Sequence, residues 1–263
     1  MHTPVALTIA GSDNSGGAGL QADLKTFSAF GVYGTTAVTC VVAEHPGRVL
    51  SIEPLPPLRV VEQIRLVAEA FPVGAVKTGM LYSREIIEAV AAALAEMLPQ
   101  VPLVIDPVMV ASSGGVLLQP EAVAALETRL LPRAALVTPN LDEAELLLGE
   151  PIRNPQALAP AARRLAAKYG VPFLVKGGHL RTEEALDVLS DGKTERFFSE
   201  KRMPGVNPHG TGCTFSAAIA SGLAHGLPLD EAVAKGKRFI TRAIAGRLRY
   251  GGYDLLNHLV RAD

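Results

Sequence analysis

Cysteine is scarce in this chain: Cys40 and Cys213 are the two present among 263 residues. Nothing else in the sequence suggests a disulfide between them, so a reducing compartment is the simpler reading. An excess of one charge is lacking too. Lysines and arginines number 25 against 26 aspartates and glutamates, with no basic run or acidic tail. That balance argues against nucleic acid or a charged membrane surface as partner. Long apolar runs are also missing. Val5–Ala10 is too short for a secretory core and has no basic region before it, and Ala89–Ala95 falls far below a membrane span. A soluble, cytoplasmic protein is expected. What the chain does have is apolar bulk: 48% hydrophobic residues against 19% charged, which suits a folded enzyme rather than a disordered chain.

The apolar segments alternate in kind. Val5–Ala10, Thr35–Val42, Gly74–Lys77, Leu103–Ile105, Ala135–Val137 and Phe173–Val175 are short and strand-like. Between them, helical spacing covers Gly17–Phe30, Leu58–Ala70, Arg84–Leu98, Glu121–Leu130 and Gln156–Tyr169. Such alternation predicts an α/β fold, a mostly parallel sheet with helices on both faces. Leu186–Leu189 and Glu195–Phe198, joined through Ser190-Asp191-Gly192, predict a hairpin and a small antiparallel edge. Two helices, about Thr211–His225 and Leu229–Leu248, close the chain. The Pro-containing stretch Glu53–Leu58 is too short to separate domains, and no repeat is visible, so residues 1–263 are expected to form one domain.

In open parallel sheets ligands bind beyond the carboxyl ends of the strands. Glycine-rich and polar segments fall there repeatedly: Gly11–Gly19, Glu44, Lys77-Thr78-Gly79, Asp106-Pro107, Asn140 and Lys176-Gly177-Gly178. Packing alone gives no reason for that. The segment Asn207–Thr214 (NPHGTGCT) is the strongest of these signals. Gly210 and Gly212 let the backbone turn tightly before an apolar helix, so that N–H groups and the helix dipole meet an anion. Cys213, in the first turn, is expected to have a lowered thiol pKa and to act as the base in phosphoryl transfer. The first loop, GSDNSGGAGL, is neither a dinucleotide fingerprint nor a Walker loop. Asp23 lies beside an apolar helical stripe, where a carboxylate must be paired or functional. Asn140 and Glu143 read either as a capping box or as organisers of Mg²⁺ near ATP phosphates. Lys176 ends an apolar strand beside glycines, as a phosphate partner or as a snorkelling lysine. His209, beside glycines, is a solvated loop residue or a third positive group.

The combination of TIAGSDNSGGAGLQADLKTFSAFGVYG, VKTGM, VIDPVM, TPNLDEAE, VKGGH and NPHGTGCTFSAAI resembles the hydroxymethylpyrimidine/phosphomethylpyrimidine kinases of thiamine biosynthesis, within the ribokinase-like superfamily. The resemblance runs from about Leu7 to the last helix. It implies a three-layer α/β/α fold, a homodimer, and ATP with Mg²⁺ as phosphoryl donor. Two successive phosphorylations of 4-amino-5-hydroxymethyl-2-methylpyrimidine are implied, first to the monophosphate and then to the diphosphate. By motif position, Gly11, Asp23, Val42, Glu44 and Met80 would line the pyrimidine pocket. Cys213 would be the base, with Gly210, Thr211 and Gly212 completing the anion hole. Lys176, Asn140 and Glu143 would serve the nucleotide, and Asp106 with Glu143 the metal. Many members of the family carry glutamine where this chain has Glu44. A pyridoxal or pyridoxine kinase and a non-catalytic pyrimidine sensor are the competing readings.

Overall fold

The computed structural model describes residues 2–109, 118–178, 180, 183–203 and 209–262. Among these residues nine strands form one sheet: β1 (Val5–Asp13), β2 (Tyr33–His45), β3 (Arg48–Pro54), β4 (Val73–Thr78), β5 (Leu103–Ile105), β6 (Leu136–Val137), β7 (Phe173–Lys176), β8 (Glu184–Ser190) and β9 (Glu195–Lys201). Their spatial order is β3-β2-β1-β4-β5-β6-β7-β8-β9. The six strands from β2 to β7 in that order run parallel. The hairpin at the β8–β9 edge is where the sequence places it. A second antiparallel edge, β3 on β2, was not expected. Pro46-Gly47 before it and three prolines from Pro54 to Pro57 after it make that segment look like loop. An edge strand tolerates such neighbours because only one of its sides pairs.

Helices α1 (Gly19–Ala29), α2 (Pro57–Ala70), α3 (Arg84–Met97), α4 (Pro120–Ala125), α5 (Leu141–Leu148), α6 (Leu158–Tyr169), α7 (Thr211–Ala224) and α8 (Leu229–Ala245) fill the connections. The last helix stops three residues short of the expected Leu248. Gly246 ends it, and Leu248–Tyr250 turns back through Gly251-Gly252, both at positive φ, to pair with Tyr253–Leu255.

Among the described residues, period-two alternation along the strands puts the two large cores on opposite faces of the sheet. Leu7, Ile9, Val76, Ile105, Val137 and Val175 face one side and pack with α2 to α6. Ala6, Ala75, Val104, Leu136 and Leu174 face the other and pack with α1, α7 and α8. The parity carries on to the strand ends. Thr8, Lys77, Asp106, Lys176 and Asp187 fall on the positions that face α1, α7 and α8. One side of the sheet thus receives the charges, and the other stays apolar.

Candidate functional site

A cleft of about 490 Å³ runs along the carboxyl edge of the sheet, from Glu44 on β2 to Lys201 on β9. At its centre is the start of α7. Gly210 precedes the helix in the left-handed conformation (φ 85°), and no side chain caps it. The first-turn N–H groups of α7 are therefore left for a ligand. A Cβ on Gly210 would lie 1.8 Å from the carbonyl oxygen of Gly17, so the late motif and the first loop are in backbone contact. Only glycine fits. Gly210, Thr211, Gly212 and Cys213 all line the cleft. Asn207 and Pro208 of the same motif lie outside the described residues.

The expected fall in the Cys213 pKa is not found. Burial pushes the thiol up to about 11, with the Asp106 and Asp23 carboxylates adding to the rise. The Lys77 ammonium and the Gly19 N–H oppose it without overcoming it. A helix start lowers a thiol pKa where the sulfur is hydrated, and here the desolvation cost is larger.

Two buried ion pairs flank Cys213. Lys77, fully buried, places Nζ 2.9 Å from both carboxylate oxygens of Asp23, which also accepts from Thr8 Oγ1 at 2.6 Å. Burial works against the Lys77 charge, yet Asp23, Cys213 and Asp106 hold the ammonium well above the usual lysine range. Asp23 was expected against the pyrimidine; instead it stands behind Lys77, off the cleft wall, and Lys77 lines the cleft. Helix α1 carries Asp23 on its sheet-facing side, where a lysine from β4 is its neighbour.

Lys176 forms the second pair, with Nζ 2.8 Å from Asp106 Oδ1. Thr138 Oγ1 donates to the same oxygen at 3.2 Å, and Ser216 Oγ donates to Oδ2 at 3.3 Å. Despite burial, Lys176 and Lys77 hold the Asp106 carboxyl below its ordinary range. Gly212 leaves room for this lysine: a Cβ there would sit 3.1 Å from Lys176 Nζ. Asp106 was expected to serve the metal, and here its oxygens already accept from an ammonium and two hydroxyls.

Asn140 and Glu143 form a full capping box on α5, Asn140 N to Glu143 Oε2 at 2.8 Å and Glu143 N to Asn140 Oδ1 at 3.0 Å. Both also line the cleft, so the two readings of this pair coexist. Burial, with Asp106 nearby, pushes the Glu143 carboxyl up to about 7 although Lys176 pulls the other way. Asn140→Ala is expected to destabilise the fold by about 1 kcal/mol through loss of the cap, a shift that thermal denaturation would read.

On the β2 side, Gly11, Val42, Glu44 and Met80 line the cleft together. Gly11 is packed closely: a Cβ would meet Cys40 Sγ at 2.7 Å. His209, given two readings from sequence, is built into this wall. Its Nε2 lies 3.1 Å from Asp13 Oδ2 and 4.0 Å from Glu44 Oε2. Burial opposes protonation of His209, but Asp13 and Glu44 raise its pKa on balance. Asp13 also accepts from the backbone of Ser15 and Ala18, each at 2.7 Å, and of Gly17 at 3.2 Å. These bonds, with the one from His209, outweigh its burial and keep it ionised. Ligand atoms of Asp13, Glu44 and His209 gather within 4.8 Å. Three N–H donors already aimed at Asp13 make this a bed for an imidazolium rather than for a metal ion.

Sequence reading placed the segments of Asp13 and Lys77 at the strand ends without giving either a role, and it missed Asp187 and Lys237 as wall residues. Strand parity was the available signal for Lys77 and Asp187, which share the face of Lys176.

The phosphomethylpyrimidine kinase family profile matches residues 13–257. The chain belongs to that family. Its members are phosphotransferases, and relatives cover nearly all of it. The hydroxymethylpyrimidine/phosphomethylpyrimidine kinase of Rhizobium meliloti is 48% identical over 263 residues, 98% of each chain. A thiamine biosynthesis bifunctional protein of Geobacter sulfurreducens is 46% identical over 258 residues; the match covers 98% of this chain and 52% of that protein. Against that relative, the chain spans about half the length. Among solved structures, phosphomethylpyrimidine kinase from Clostridium difficile aligns at TM-score 0.81 and 41% identity, covering 92% of this chain and 100% of that one. An ADP complex of Bacillus subtilis pyridoxal kinase aligns at 0.88 and 38%, covering 98% of both chains. The fold of the family is therefore that of this chain.

Proposed function

We propose that the chain transfers the γ-phosphoryl group of ATP to the hydroxymethyl oxygen of 4-amino-5-hydroxymethyl-2-methylpyrimidine, and then phosphorylates the monophosphate to the diphosphate used in thiamine biosynthesis. The observation that carries this reading is the uncapped start of α7, with Cys213 held between the Lys77 and Lys176 ammoniums in one cleft. Phosphoryl transfer needs little more than an in-line nucleophile and positive groups on the equatorial oxygens. The α7 N–H groups and Lys176 supply the latter, and Cys213 receives the proton of the attacking hydroxyl.

Gly11, Val42, Met80 and Glu44 would hold the pyrimidine. Asp106 and Glu143 suit Mg²⁺ as acidic neighbours acting through its retained waters, since this ion sheds water reluctantly. The ion supplies charge neutralisation on the phosphates. Exposed apolar side chains on β2, β3 and α2, among them Val41, Leu50 and Leu66, with Tyr33 and Phe71 stacked at 5.7 Å, support pairing into a homodimer. No helix among the described residues is long and apolar enough to cross a membrane.

Glu44 gives the pocket a particular pH dependence. Burial, and Asp13 beside it, raise the Glu44 pKa, with His209 opposing. A carboxyl and an aminopyrimidine ring make two hydrogen bonds only while one proton lies between them. Whichever partner holds that proton, deprotonation of the pair removes a bond. KM for the pyrimidine is therefore expected to climb with pH more steeply in the natural protein than in Glu44→Gln, whose amide donates at any pH. Superimposable profiles would refute this.

Phosphorus NMR of the products from ATP, Mg²⁺ and hydroxymethylpyrimidine tests the whole reading. Monophosphate followed by diphosphate is expected. The solved pyridoxal kinases favour a second reading, phosphorylation of pyridoxal or pyridoxine. Faster turnover of those vitamers, with a single phosphate added, would establish it in place of the first.

A further inference from the structure

We infer that His258 is a positioning residue for the phosphoryl transfer. By accepting the Thr214 hydroxyl it ties down the first turn of α7, while the N–H groups of Thr211, Gly212 and Cys213 stay free for a phosphate. This rests on the kinase reading of the α7 start given above. A helix start without a side-chain cap frays. This one has no such cap, and Gly210 and Gly212 are poor helix formers. The usual remedy is closed to it, because a capping side chain would take up donors that the phosphate needs.

Thr214 is held unlike other hydroxyls along the helices. Thr26, Thr128, Ser221 and Thr241 each donate to the carbonyl four positions back. The Thr214 hydroxyl goes instead to His258 Nε2, at 2.9 Å, and both side chains are buried. The Leu256 backbone carbonyl is the second partner of the imidazole, and burial with the Lys25 charge nearby pushes its pKa down to about 4. A neutral ring whose N–H serves a carbonyl presents a lone pair on its other nitrogen, so Thr214 donates and His258 accepts.

The segment that carries His258 is itself anchored. Leu256 is buried in the core shared by α1, α7 and α8, and the Asn257 N–H donates to the Ala243 carbonyl of α8 at 3.2 Å. Leu255 makes an isolated parallel bridge with His209. The strap after α8 thus grips the chain at position 209, just before Gly210, and at position 214, just after Cys213. Between the two grips lie the four residues of the proposed anion hole. The second grip is a side chain, so it spares the N–H groups of the turn. Core packing gives no reason for the pair, since two apolar side chains would fill that space with no hydroxyl or imidazole to satisfy.

Steady-state kinetics and amide exchange test this together. His258→Leu and Thr214→Val each break the bond but leave a buried polar partner, so the double variant, which leaves none, is made beside them. In all three kcat is expected to fall about tenfold, no further in the double variant than in the single ones, because one bond is lost each time. KM for ATP and for the pyrimidine should stay within about twofold, since the anion hole acts in the transition state. His258→Gln, whose amide oxygen can accept in the same place, should recover most of the rate. The Thr214 N–H closes the turn on the Gly210 carbonyl, and its exchange should quicken about tenfold in the double variant. A double variant with the natural melting temperature and kcat within about twofold of the natural value would reduce the pair to packing. So would a His258→Gln protein as slow as His258→Leu. Thr214→Val, nearly isosteric, decides by itself if the double variant does not fold. A natural protein that phosphorylates neither pyrimidine nor pyridoxal would sink the kinase reading. Unchanged exchange at Thr214 would sink the tether, whatever the activity.

Discussion

Cys213→Ala is expected to lower kcat by about 10²–10³-fold, toward the lower part of what general-base catalysis contributes, with both KM values little changed. The moderate size follows from the chemistry: a loose transition state asks little of the base until late. The shape of the pH profile is more diagnostic than the size. With the thiol pushed up to about 11, the thiolate is a small fraction at neutral pH and grows with every unit of alkalinity. If it takes the proton of the substrate hydroxyl, kcat of the natural enzyme rises across pH 7 to 9. Cys213→Ala and Cys213→Ser, which have no group ionising there, should be flat over that range. A rising profile that survives in both variants would remove Cys213 from the role of base, whatever the loss of rate.

Lys77→Met should be the most destabilising single change in the site. It leaves the Asp23 carboxylate fully buried with Thr8 as its remaining partner. Breaking such a pair costs about 3–5 kcal/mol, which in a chain of this size lowers Tm by roughly 10 °C. The loss has a defined pH sign. Burial raises the Asp23 pKa even in the natural protein, and without Lys77 it must rise further. The folded variant then binds a proton that the unfolded chain releases, so stability falls as pH rises and returns as pH is lowered through the folded pKa. Adding Asp23→Asn removes the stranded charge and should restore most of the Tm. It should not restore turnover, because the cation beside Cys213 is still absent. Denaturation curves at pH 5 and pH 8 decide the matter; a Lys77→Met protein within 2 °C of the natural one at both would refute it (roughly, on the size scaling of Tm).

How much of this was legible beforehand differs from residue to residue. The strands Leu103–Ile105 and Phe173–Lys176 and the helix over Arg84–Met97 could be read to within a residue, because apolar runs and helical stripes report burial directly. β3 could not, since prolines and charges at an edge look like loop. Gly210 to Cys213 were legible because glycine before an apolar helix has few other uses. Asp23 was legible as a charge needing an explanation but not as the partner of Lys77, which stands 54 positions away. The Cys213 pKa was misjudged for a related reason. The dipole of its own helix is local and visible in the sequence, whereas burial by α1 and β4 is not. His209 had the weakest signal, a histidine in a glycine loop, and its two carboxylates come from positions 13 and 44.

The contact between Gly210 and Gly17 has a bearing on when the cleft comes into being. β1 can pair with β2 and β4 once the segment through β4 has left the ribosome, and the Asp23–Lys77 pair can form then. The contact of Asp13 with His209 joins positions 196 residues apart, and the proposed anion hole belongs wholly to the later side of that join. Contacts so distant in sequence form slowly and late. A nascent chain made only through β9 would therefore hold the sheet but neither the proposed base nor the proposed anion hole, and is expected to stay inert toward ATP until α7 docks against the first loop.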